Sequence, residues 1–247
     1  TQAEQVRAHV GVLTEQQGLY ERMKALEYLD FFGQMYYIPT AERRRRSLAL
    51  LERFGLEYAL DKRIGEYSKG MKQKLALVRA MIHHPPVLLL DEPTSAMDPL
   101  SAKQVRDAIL ELKQDHHRTF LITTHNLPEA HALADTIAII KRGRIIAHGT
   151  FDQLLQQFVG NPLMELRVAH PLNGLTADVS SLVSVVESGD TWLRYHAETP
   201  ETTNPLLLRK LSALGVDVVT LAPITRTLED VYLEVVKDDL VQPEDLR

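Results

Sequence analysis

The sequence predicts an α/β core with an attached helical subdomain, followed by a small α+β domain. Three observations lead to this prediction. Short, unbroken apolar runs alternate with helical segments, as is typical of strands buried in a parallel sheet. A long stretch between the first two runs has helical periodicity only. After about Phe158, alternating strands with two further helices replace that pattern.

The elements of the core follow in order along the chain. Residues 10–13 form the first strand and lead into a polar loop at 14–18. Residues 20–82 are mostly helical, with Leu26, Leu29 and Phe32 as the predicted buried stripe of the first helix and Gly33 directly after it. Further helices are expected at 41–54, from Ser68 to about 82, at 101–113 and at 129–133. Buried strands are expected at 87–90 and 119–124, and a hairpin at 137–140 and 144–146. This alternation predicts a three-layer core.

The second domain is predicted from shorter elements. Its strands are expected at 163–168, 182–187, 192–196 and 216–221, and its helices at 205–214 and 228–236. We therefore expect a first domain over 1–158, with its helical subdomain at about 20–82 and its remaining core at 85–150. An accessory domain follows over 159–236, and an acidic, loose tail over 237–247.

The composition excludes several kinds of chemistry. Of 247 residues, 33 are acidic and 28 basic, which gives a net charge of -5. With no basic surplus to replace counterions, nucleic acid is not expected as the main partner. The absence of cysteine excludes disulfides, thiolate metal sites and cysteine nucleophiles. No run approaches the roughly 20 apolar residues of a membrane span, so a membrane role requires a partner protein.

A serine and a glycine stand where the helix after residue 67 begins. Ser68 is a good N-cap, and Gly70 permits a close backbone approach. Free amides and the positive end of the helix dipole could hold a phosphate there. The alternative is that the two residues only cap the helix.

Two carboxylates follow the apolar strand at 87–90. Asp91 lies where ligands bind in open α/β sheets and is expected to hold Mg²⁺, directly or through water. Glu92 is expected to be the general base that deprotonates an attacking water. The alternative is that the pair caps the next helix.

Together these motifs resemble the ATP-binding cassette (ABC) family. Residues 67–71 resemble the signature motif, usually Leu-Ser-Gly-Gly-Gln, and residues 87–92 resemble the Walker B strand with its catalytic glutamate. Residues 95–98 resemble the D-loop, and His125 resembles the switch histidine. The four motifs stand in the family's order and spacing, so the expected fold is a P-loop NTPase core of the ABC type.

The resemblance implies a role for each matching position. Ser68 and Gly70 would contact the γ-phosphate of ATP bound to a partner subunit, and Lys69 and Met71 belong to the same nucleotide-binding segment. Asp98, also nucleotide-binding, would couple the two sites across the dimer. His125 would hydrogen-bond the γ-phosphate and stabilise charge in the transition state. The implied cofactors are ATP and Mg²⁺.

Three features of the sequence depart from the family pattern. No Gly-x-x-x-x-Gly-Lys-Ser/Thr segment occurs anywhere, so the core is expected to be incomplete at its N-terminal, phosphate-cradling part and the chain alone inactive. Glu15 occupies the position of the loop glutamine that meets the metal, although Gln16 is an alternative register. Lys69 and Met71 replace the usual glycine and glutamine of the signature.

Residues 227–233 resemble the closing helix of ATPase subunits from bacterial exporters of drugs, lipids or polysaccharides. The resemblance implies a homodimer that drives a separate integral membrane permease, as a peripheral protein on the cytoplasmic face of the inner membrane. The alternatives are a soluble ABC-type ATPase acting on ribosomes or DNA, and a non-catalytic remnant.

The arginine run at 43–46 is expected to be a solvated helix face, with contact to a membrane subunit or to lipid headgroups as the alternative. The histidine pairs at 83–84 and 116–117 are not expected to bind metal, because no carboxylate or thiol stands at ligand spacing.

Overall fold

A computed structural model of the chain forms two compact units that divide between Ala134 and Asp135. It describes residues 2–95, 97–114, 118–172 and 174–237. The predicted loose tail after residue 237 and the histidine pair at 116–117 lie outside the described residues. The predicted domain boundary after residue 158 stays a prediction, and the two units are considered separately below.

The first unit contains a parallel sheet with the strand order β1, β2, β3. Its strands are β1 (Val10–Leu13), β2 (Val87–Asp91) and β3 (Thr119–Thr123). Its helices are α1 (Gln2–His9), α2 (Ala25–Met35), α3 (Thr40–Arg53), α4 (Lys69–Met81), α5 (Pro99–Gln114) and α6 (Leu127–Leu133), with 3₁₀ turns at Glu57–Ala59 and Ile64–Glu66. Apart from α1 and the 3₁₀ turns, these elements match the predicted ones within a few residues.

One face of this sheet packs on the core of the unit. Leu88 and Leu90 are fully buried there. Gly11 is required on the same face, because a Cβ atom at this position would lie 2.1 Å from the carbonyl oxygen of Ala80 in α4. Helix α4 therefore lies directly on β1, and its own side chains Leu75 and Val78 are buried.

The other face of the sheet is open. The strand register aligns Val12, Leu89 and Leu121 in one row across the three strands. Val12 is 42% and Leu121 62% exposed. In the part of the chain that the structure describes, only one face is covered, so the prediction of β3 as a buried strand in a three-layer core was wrong there. An apolar run indicates a strand but does not show what covers it.

Helix α2 is rotated from its predicted orientation. Its buried residues are Ala25, Tyr28, Leu29 and Gly33, whereas Leu26 and Phe32 are only partly buried. The Tyr28 hydroxyl lies 2.9 Å from Nη1 of Arg79 in α4, so this large residue is buried with a polar partner.

The second unit begins with a hairpin of β4 (Ile137–Lys141) and β5 (Arg144–Gly149). Its turn residues Arg142 and Gly143 both have positive φ angles, 48° and 75°, as a tight hairpin turn requires. Helix α7 (Phe151–Phe158), which the sequence did not lead us to expect, starts at a capping box of Thr150 and Gln153.

The rest of the second unit is a four-stranded antiparallel sheet in the order β7-β8-β6-β9. Its elements are β6 (Leu163–Val168), α8 (Leu175–Val179), β7 (Ser184–Ser188), β8 (Trp192–His196), α9 (Pro200–Ala213) and β9 (Val218–Pro223), and α10 (Leu228–Lys237) packs on α7. The chain order βαββαβ with this strand order is the ferredoxin-like, or split βαβ, arrangement. The predicted α+β class of this region is therefore confirmed, although helix α9 begins five residues before its predicted start.

None of the described helices is both long and apolar enough to cross a lipid bilayer.

Candidate active site

The predicted site residues that follow strands lie at one edge of the parallel sheet. Parallel strands end at the same edge, so the loops after β1, β2 and β3 meet there. These loops carry Glu15, then Asp91 and Glu92, and then His125. The sheet thus brings together residues that are more than one hundred positions apart in sequence.

Glu92 and His125 are in direct contact. Oε1 of Glu92 accepts hydrogen bonds from the backbone N–H of His125 at 2.9 Å and from its Nδ1 at 2.7 Å. A carboxylate can only accept, so Nδ1 carries the proton, and Nε2 points to other partners. The Glu92 side chain is 23% exposed and the His125 side chain 84% exposed. The second carboxylate oxygen of Glu92 makes no hydrogen bond among the described residues.

The Glu92 backbone is held in an unusual conformation. Its φ angle is 48°, a left-handed value that costs free energy for a residue with a side chain. Its N–H donates to the Thr123 carbonyl at 2.9 Å, and its own carbonyl accepts from the Ser95 N–H at 3.1 Å. These contacts fix the direction in which the carboxylate leaves the strand end.

Asp91 is exposed beside Glu92 and accepts a short hydrogen bond from the Thr123 hydroxyl on the neighbouring strand. Glu15 is exposed on the loop after β1, and no hydrogen bond or ion pair is formed by it among the described residues. The same holds for the side chain of Gln16. The structure therefore brings Asp91 to the site but leaves the choice between Glu15 and Gln16 as a prediction.

The second predicted group stands at the start of α4. The Ser68 hydroxyl accepts from the Met71 N–H at 3.2 Å, as a helix N-cap does. Ser68 and Lys69 are exposed, and Gly70 lies close to Met97, since a Cβ on Gly70 would be 3.8 Å from Cγ of Met97. Residues 68–71 therefore form an accessible helix entrance beside the loop that follows Glu92.

Asp98 caps the next helix. Its carboxylate accepts from the Ser101 N–H at 3.0 Å. Hydrogen bonds from Ser101 lower the pKa of the Asp98 carboxyl below its ordinary value. The nucleotide-binding role of Asp98 stays a prediction, because the contact that the structure shows for its carboxylate is the hydrogen bond at the start of α5.

Sequence reasoning missed Gln73, which joins the two groups. Its side chain is buried, donates to the Glu92 carbonyl at 3.1 Å, and accepts a short hydrogen bond from the Gln17 side chain. Arg79 holds the same loop through a 2.7 Å bond to the Gln17 carbonyl. The sequence offers no separate signal for Gln73, because α4 also contains the polar residues Lys69, Lys72, Lys74 and Arg79.

Three further residues at this edge were also missed. Glu129 is 2% exposed, and its two carboxylate oxygens accept from the hydroxyls of Thr94 and Thr124. An acidic residue in the first turn of a short helix gives no sign of burial in the sequence.

The arginine run is mainly paired within its own region. Arg43 contacts Asp30 at 2.6 Å, while Arg45 and Arg46 both contact Glu42. Arg45, followed by Arg46, lowers the pKa of the Glu42 carboxyl to about 2. These contacts favour the solvated helix face over a dedicated membrane contact.

The donor set fits Mg²⁺ only together with other oxygens. No group of three or more histidine, aspartate or glutamate side chains that could hold an ion exists in the described ranges. Mg²⁺ usually takes one or two carboxylates and completes its octahedron with phosphate and water oxygens. Asp91 is an exposed, hard oxygen donor of this kind.

Comparisons with known proteins agree with the sequence motifs. Residues 1–95 match the family model described as ABC transporter. The chain is 35% identical over 231 residues to the uncharacterized ABC transporter ATP-binding protein YxlF of Bacillus subtilis, covering 93% of this chain and 77% of that protein. It is 33% identical to the daunorubicin resistance ATP-binding protein DrrA3 of Streptomyces coeruleorubidus, with coverages of 95% and 74%. For the protein NatA of B. subtilis the identity is 38%, but the match spans only 63% of either chain.

Solved structures lead to the same family. An ATP-binding subunit of an ABC transporter superimposes with a TM-score of 0.58 at 31% identity, covering 72% of this chain and 71% of that one. A dimeric post-hydrolysis state of the ATP-binding cassette MJ0796 with ADP and Pi gives a TM-score of 0.55 at 25% identity, with coverages of 60% and 65%. With an ABC-type ATPase fold and relatives matched along most of their length, this chain belongs to the ATP-binding proteins of ABC transporters.

Proposed function

We propose that the complete subunit containing this chain binds and hydrolyses ATP to power export through a separate membrane permease. The observation that supports it most is the Glu92–His125 pair at the carboxyl edge of the parallel sheet, next to Asp91. A carboxylate with one oxygen engaged and one open is suited to accept a proton from water. ATP and Mg²⁺ are the proposed cofactors, because the family binds ATP and Asp91 is a suitable metal donor.

In the proposed hydrolysis of ATP, Glu92, His125 and Asp91 have different roles. The open oxygen of Glu92 orients a water molecule and accepts its proton as the water oxygen attacks the terminal phosphorus, while the bond to the leaving ADP oxygen breaks. His125 holds the other oxygen of Glu92 through Nδ1 and turns Nε2 toward the phosphate. Nε2 can donate to a phosphate oxygen only when the ring is protonated. Mg²⁺ held by Asp91 would neutralise phosphate charge.

The serine–glycine helix entrance has a different proposed role. Residues 68–71 and Asp98 would contact the nucleotide held by a second copy of the subunit, since a free helix N-terminus with an exposed serine suits a phosphate. A homodimer with two shared sites follows from this assignment. Glu15 is proposed as a further carboxylate near the metal, on the loop after β1.

The 247-residue chain alone is proposed to be inactive. It contains no segment of the Gly-x-x-x-x-Gly-Lys-Ser/Thr type, whose amides and lysine hold the phosphates. ATP hydrolysis should therefore be measured on the complete subunit, expressed together with any coding sequence upstream of Thr1. The rate of the 247-residue chain alone is measured for comparison. We expect saturable ATPase activity only for the complete subunit.

Glu92→Gln in the complete subunit should lower kcat roughly 10²–10³-fold while MgATP binding persists. Full activity of this variant would reject Glu92 as the base.

A permease partner is supported by exposed aromatic and apolar side chains on and beside α2. Tyr20 is 48%, Phe31 41%, Met35 61% and Tyr37 94% exposed. Tyr20 and Phe31 also contact each other, with ring centroids 5.9 Å apart. Exposed aromatic side chains of this kind are enriched in protein interfaces. The proposal of export is supported by the relative named Nod factor export ATP-binding protein I, and a location at the cytoplasmic face of the inner membrane is part of the same proposal.

This partner is tested by separating basal from permease-stimulated ATPase activity. Phe31→Ala should leave basal activity unchanged and weaken stimulation by the co-expressed permease about tenfold, because one central aromatic is worth about 1–2 kcal/mol at an interface. Tyr58→Ala removes an aromatic ring that is even more exposed, at 66%, and is the control. Equal effects of the two variants would count against a docking surface at α2.

A further inference from the structure

We propose that Glu129 is a positioning residue that sets the distance between Glu92 and His125 by clamping the two loops that carry them. The inference deepens the proposed ATPase function and rests on it. The hydrogen bonds of Glu129 to side chains involve Thr94, Thr124 and Asn126 rather than Glu92 or His125, so its effect must pass through its neighbours.

The clamp consists of one buried carboxylate and two threonine hydroxyls. Glu129 lies in α6 and is 2% exposed. Its Oε1 accepts from the Thr94 hydroxyl at 2.6 Å and its Oε2 from the Thr124 hydroxyl at 2.7 Å. A carboxylate is stable at such a site only when both oxygens are hydrogen-bonded. Each oxygen has its own donor, so the arrangement is fully satisfied.

The two threonines belong to the two loops of the active pair. Thr94 follows Glu92 by two residues, and Thr124 immediately precedes His125. Thr94 is itself 8% exposed, which leaves its hydroxyl little freedom to find another partner. Thr124 also accepts from the Asn126 N–H at 3.0 Å, and Asn126 caps α6. The carboxylate of Glu129 therefore ties the end of β2 to the end of β3 directly behind the Glu92–His125 contact.

This position matters because the contact depends on both loops at once. Oε1 of Glu92 receives two bonds from His125, one from the backbone and one from the ring. A shift of about 1 Å between the loops would break at least the ring bond, and misplacements of this size cost catalysis about 10²-fold. Loosening the clamp should therefore lower turnover more than nucleotide affinity.

The test compares three substitutions in the complete subunit. Glu129→Leu removes both acceptors, and kcat should fall at least tenfold while KM for MgATP changes less than about threefold. Glu129→Gln can still accept from one hydroxyl and donate to the other, so it should restore kcat to within about threefold of wild type. Glu111→Gln on the exposed face of α5 is the control. Equal losses in Glu129→Leu and Glu129→Gln, or a change confined to KM, would overturn the clamp.

A second measurement does not require hydrolysis and separates this proposal from the ATPase assignment. In the ¹⁵N-labelled chain, the Nδ1 resonance of His125 reports its bond to Glu92, and Glu92→Gln supplies the reference for the altered bond. We expect Thr94→Val and Thr124→Val to shift this resonance toward that reference, and Thr40→Val to leave it unchanged. If neither Thr94→Val nor Thr124→Val shifts the resonance, the proposed clamp is wrong, whether or not the complete subunit hydrolyses ATP. If the complete subunit lacks ATPase activity but the resonance shifts, the function fails and the clamp stands.

Discussion

The two larger sheets of this protein, the three-stranded one in the first unit and the four-stranded one in the second, each have one covered and one open face, but the open faces differ in kind. In the first unit the open face carries Val12, Leu89 and Leu121 in one row. In the second unit the outward residues form an ion-pair network of Arg167, Glu165, Arg194 and Glu187. The second face is suited to water, whereas the first has the apolar character of a surface that other protein atoms cover.

The chemistry follows the same division. The acidic and imidazole groups at the edge of the first sheet leave atoms open, as in the second oxygen of Glu92. On the second sheet, Glu165 is held between two arginines, and Arg194 also lies 4.7 Å from the ring centroid of Trp192. Hydrogen bonds from Arg194, and then Arg167, lower the pKa of the Glu165 carboxyl. The first sheet has polar atoms without hydrogen-bond partners among the described residues, whereas the charges of the second sheet are paired with one another. This difference indicates that the reactive site lies at the first sheet.

The largest effect should come from removing the imidazole at the first sheet. His125→Ala should lower kcat of the complete subunit roughly 10²–10³-fold, because it removes the orienting partner of Glu92 and a charge-stabilising group. His196→Ala, which removes the same ring from the second sheet, is the matched control and should leave kcat unchanged. Steady-state ATPase rates of both variants test the comparison. A lower kcat in His196→Ala would contradict the assignment of the chemistry to the first sheet.

The next effect distinguishes the two faces of one strand. Leu88 is fully buried on the covered face, so Leu88→Ala should lower the free energy of unfolding by about 3 kcal/mol. Leu89→Ala, one residue along on the open face, should cost about 1 kcal/mol. Urea denaturation followed by circular dichroism measures both. Equal costs would mean that the open face is covered in solution.

A smaller effect concerns the association of that open face. Leu121 is 62% exposed, and we expect the 247-residue chain to self-associate through its row of apolar residues. Leu121→Lys should weaken this association about tenfold, in keeping with the ~1.4 kcal/mol that burial of part of one leucine supplies. Sedimentation at several concentrations measures it, with Val186→Lys, which alters a 55% exposed residue of the second unit, as the control. A monodisperse wild-type monomer would contradict the expectation.

The sequence allowed much of this to be predicted where local rules apply. The apolar run at 87–90 and the Ser68 cap gave β2 and α4 nearly to the residue, because strand burial and capping are local properties. The bounds of β6 and β8 were predicted without error for the same reason. The motif order also placed Asp91, Glu92 and His125 after neighbouring strands, but the direct contact between Glu92 and His125 was not predicted.

What could not be predicted depends on contacts between distant segments. The burial of Glu129 depends on two threonines that lie 35 and 5 residues before it in sequence. The role of Gln73 depends on a loop 56 residues before it. Local periodicity assigns both residues to solvent, and only the assembled sheet edge supplies the partners that make their burial favourable.

The smallest effect concerns one polar ring in each unit, fully buried in the second unit and half-buried in the first. The Tyr195 hydroxyl of the second unit donates to Asn204 at 2.6 Å, and burial raises its pKa to about 12, so it stays neutral below pH 8. The His83 ring of the first unit stacks on Tyr36 at 3.8 Å, and neither of its nitrogens has a partner at hydrogen-bond geometry among the described residues. Burial lowers the pKa of His83 to about 4, with smaller contributions from His84 and Arg46, while the nearby Val10 carbonyl opposes the shift.

The unfolded chain binds a proton at His83 near its ordinary pKa of 6.5, whereas the folded chain does so only near about 4. Above pH 6.5 the ring is neutral in both states, and the free energy of unfolding of the first unit is at its full value. As the pH falls from 6.5 toward 4, the unfolded chain gains a proton that the folded chain does not, so the free energy of unfolding falls. Because the ring is only half-buried, we expect a loss of about 1 kcal/mol. Hydrogen exchange of the α4 amides at pH 7 and 4.5 measures it, and His83→Phe should flatten the difference while keeping the stack on Tyr36. Unfolding detected by the single tryptophan, Trp192, reports the second unit and should not respond to the substitution, so a response there would show that the two units do not unfold separately.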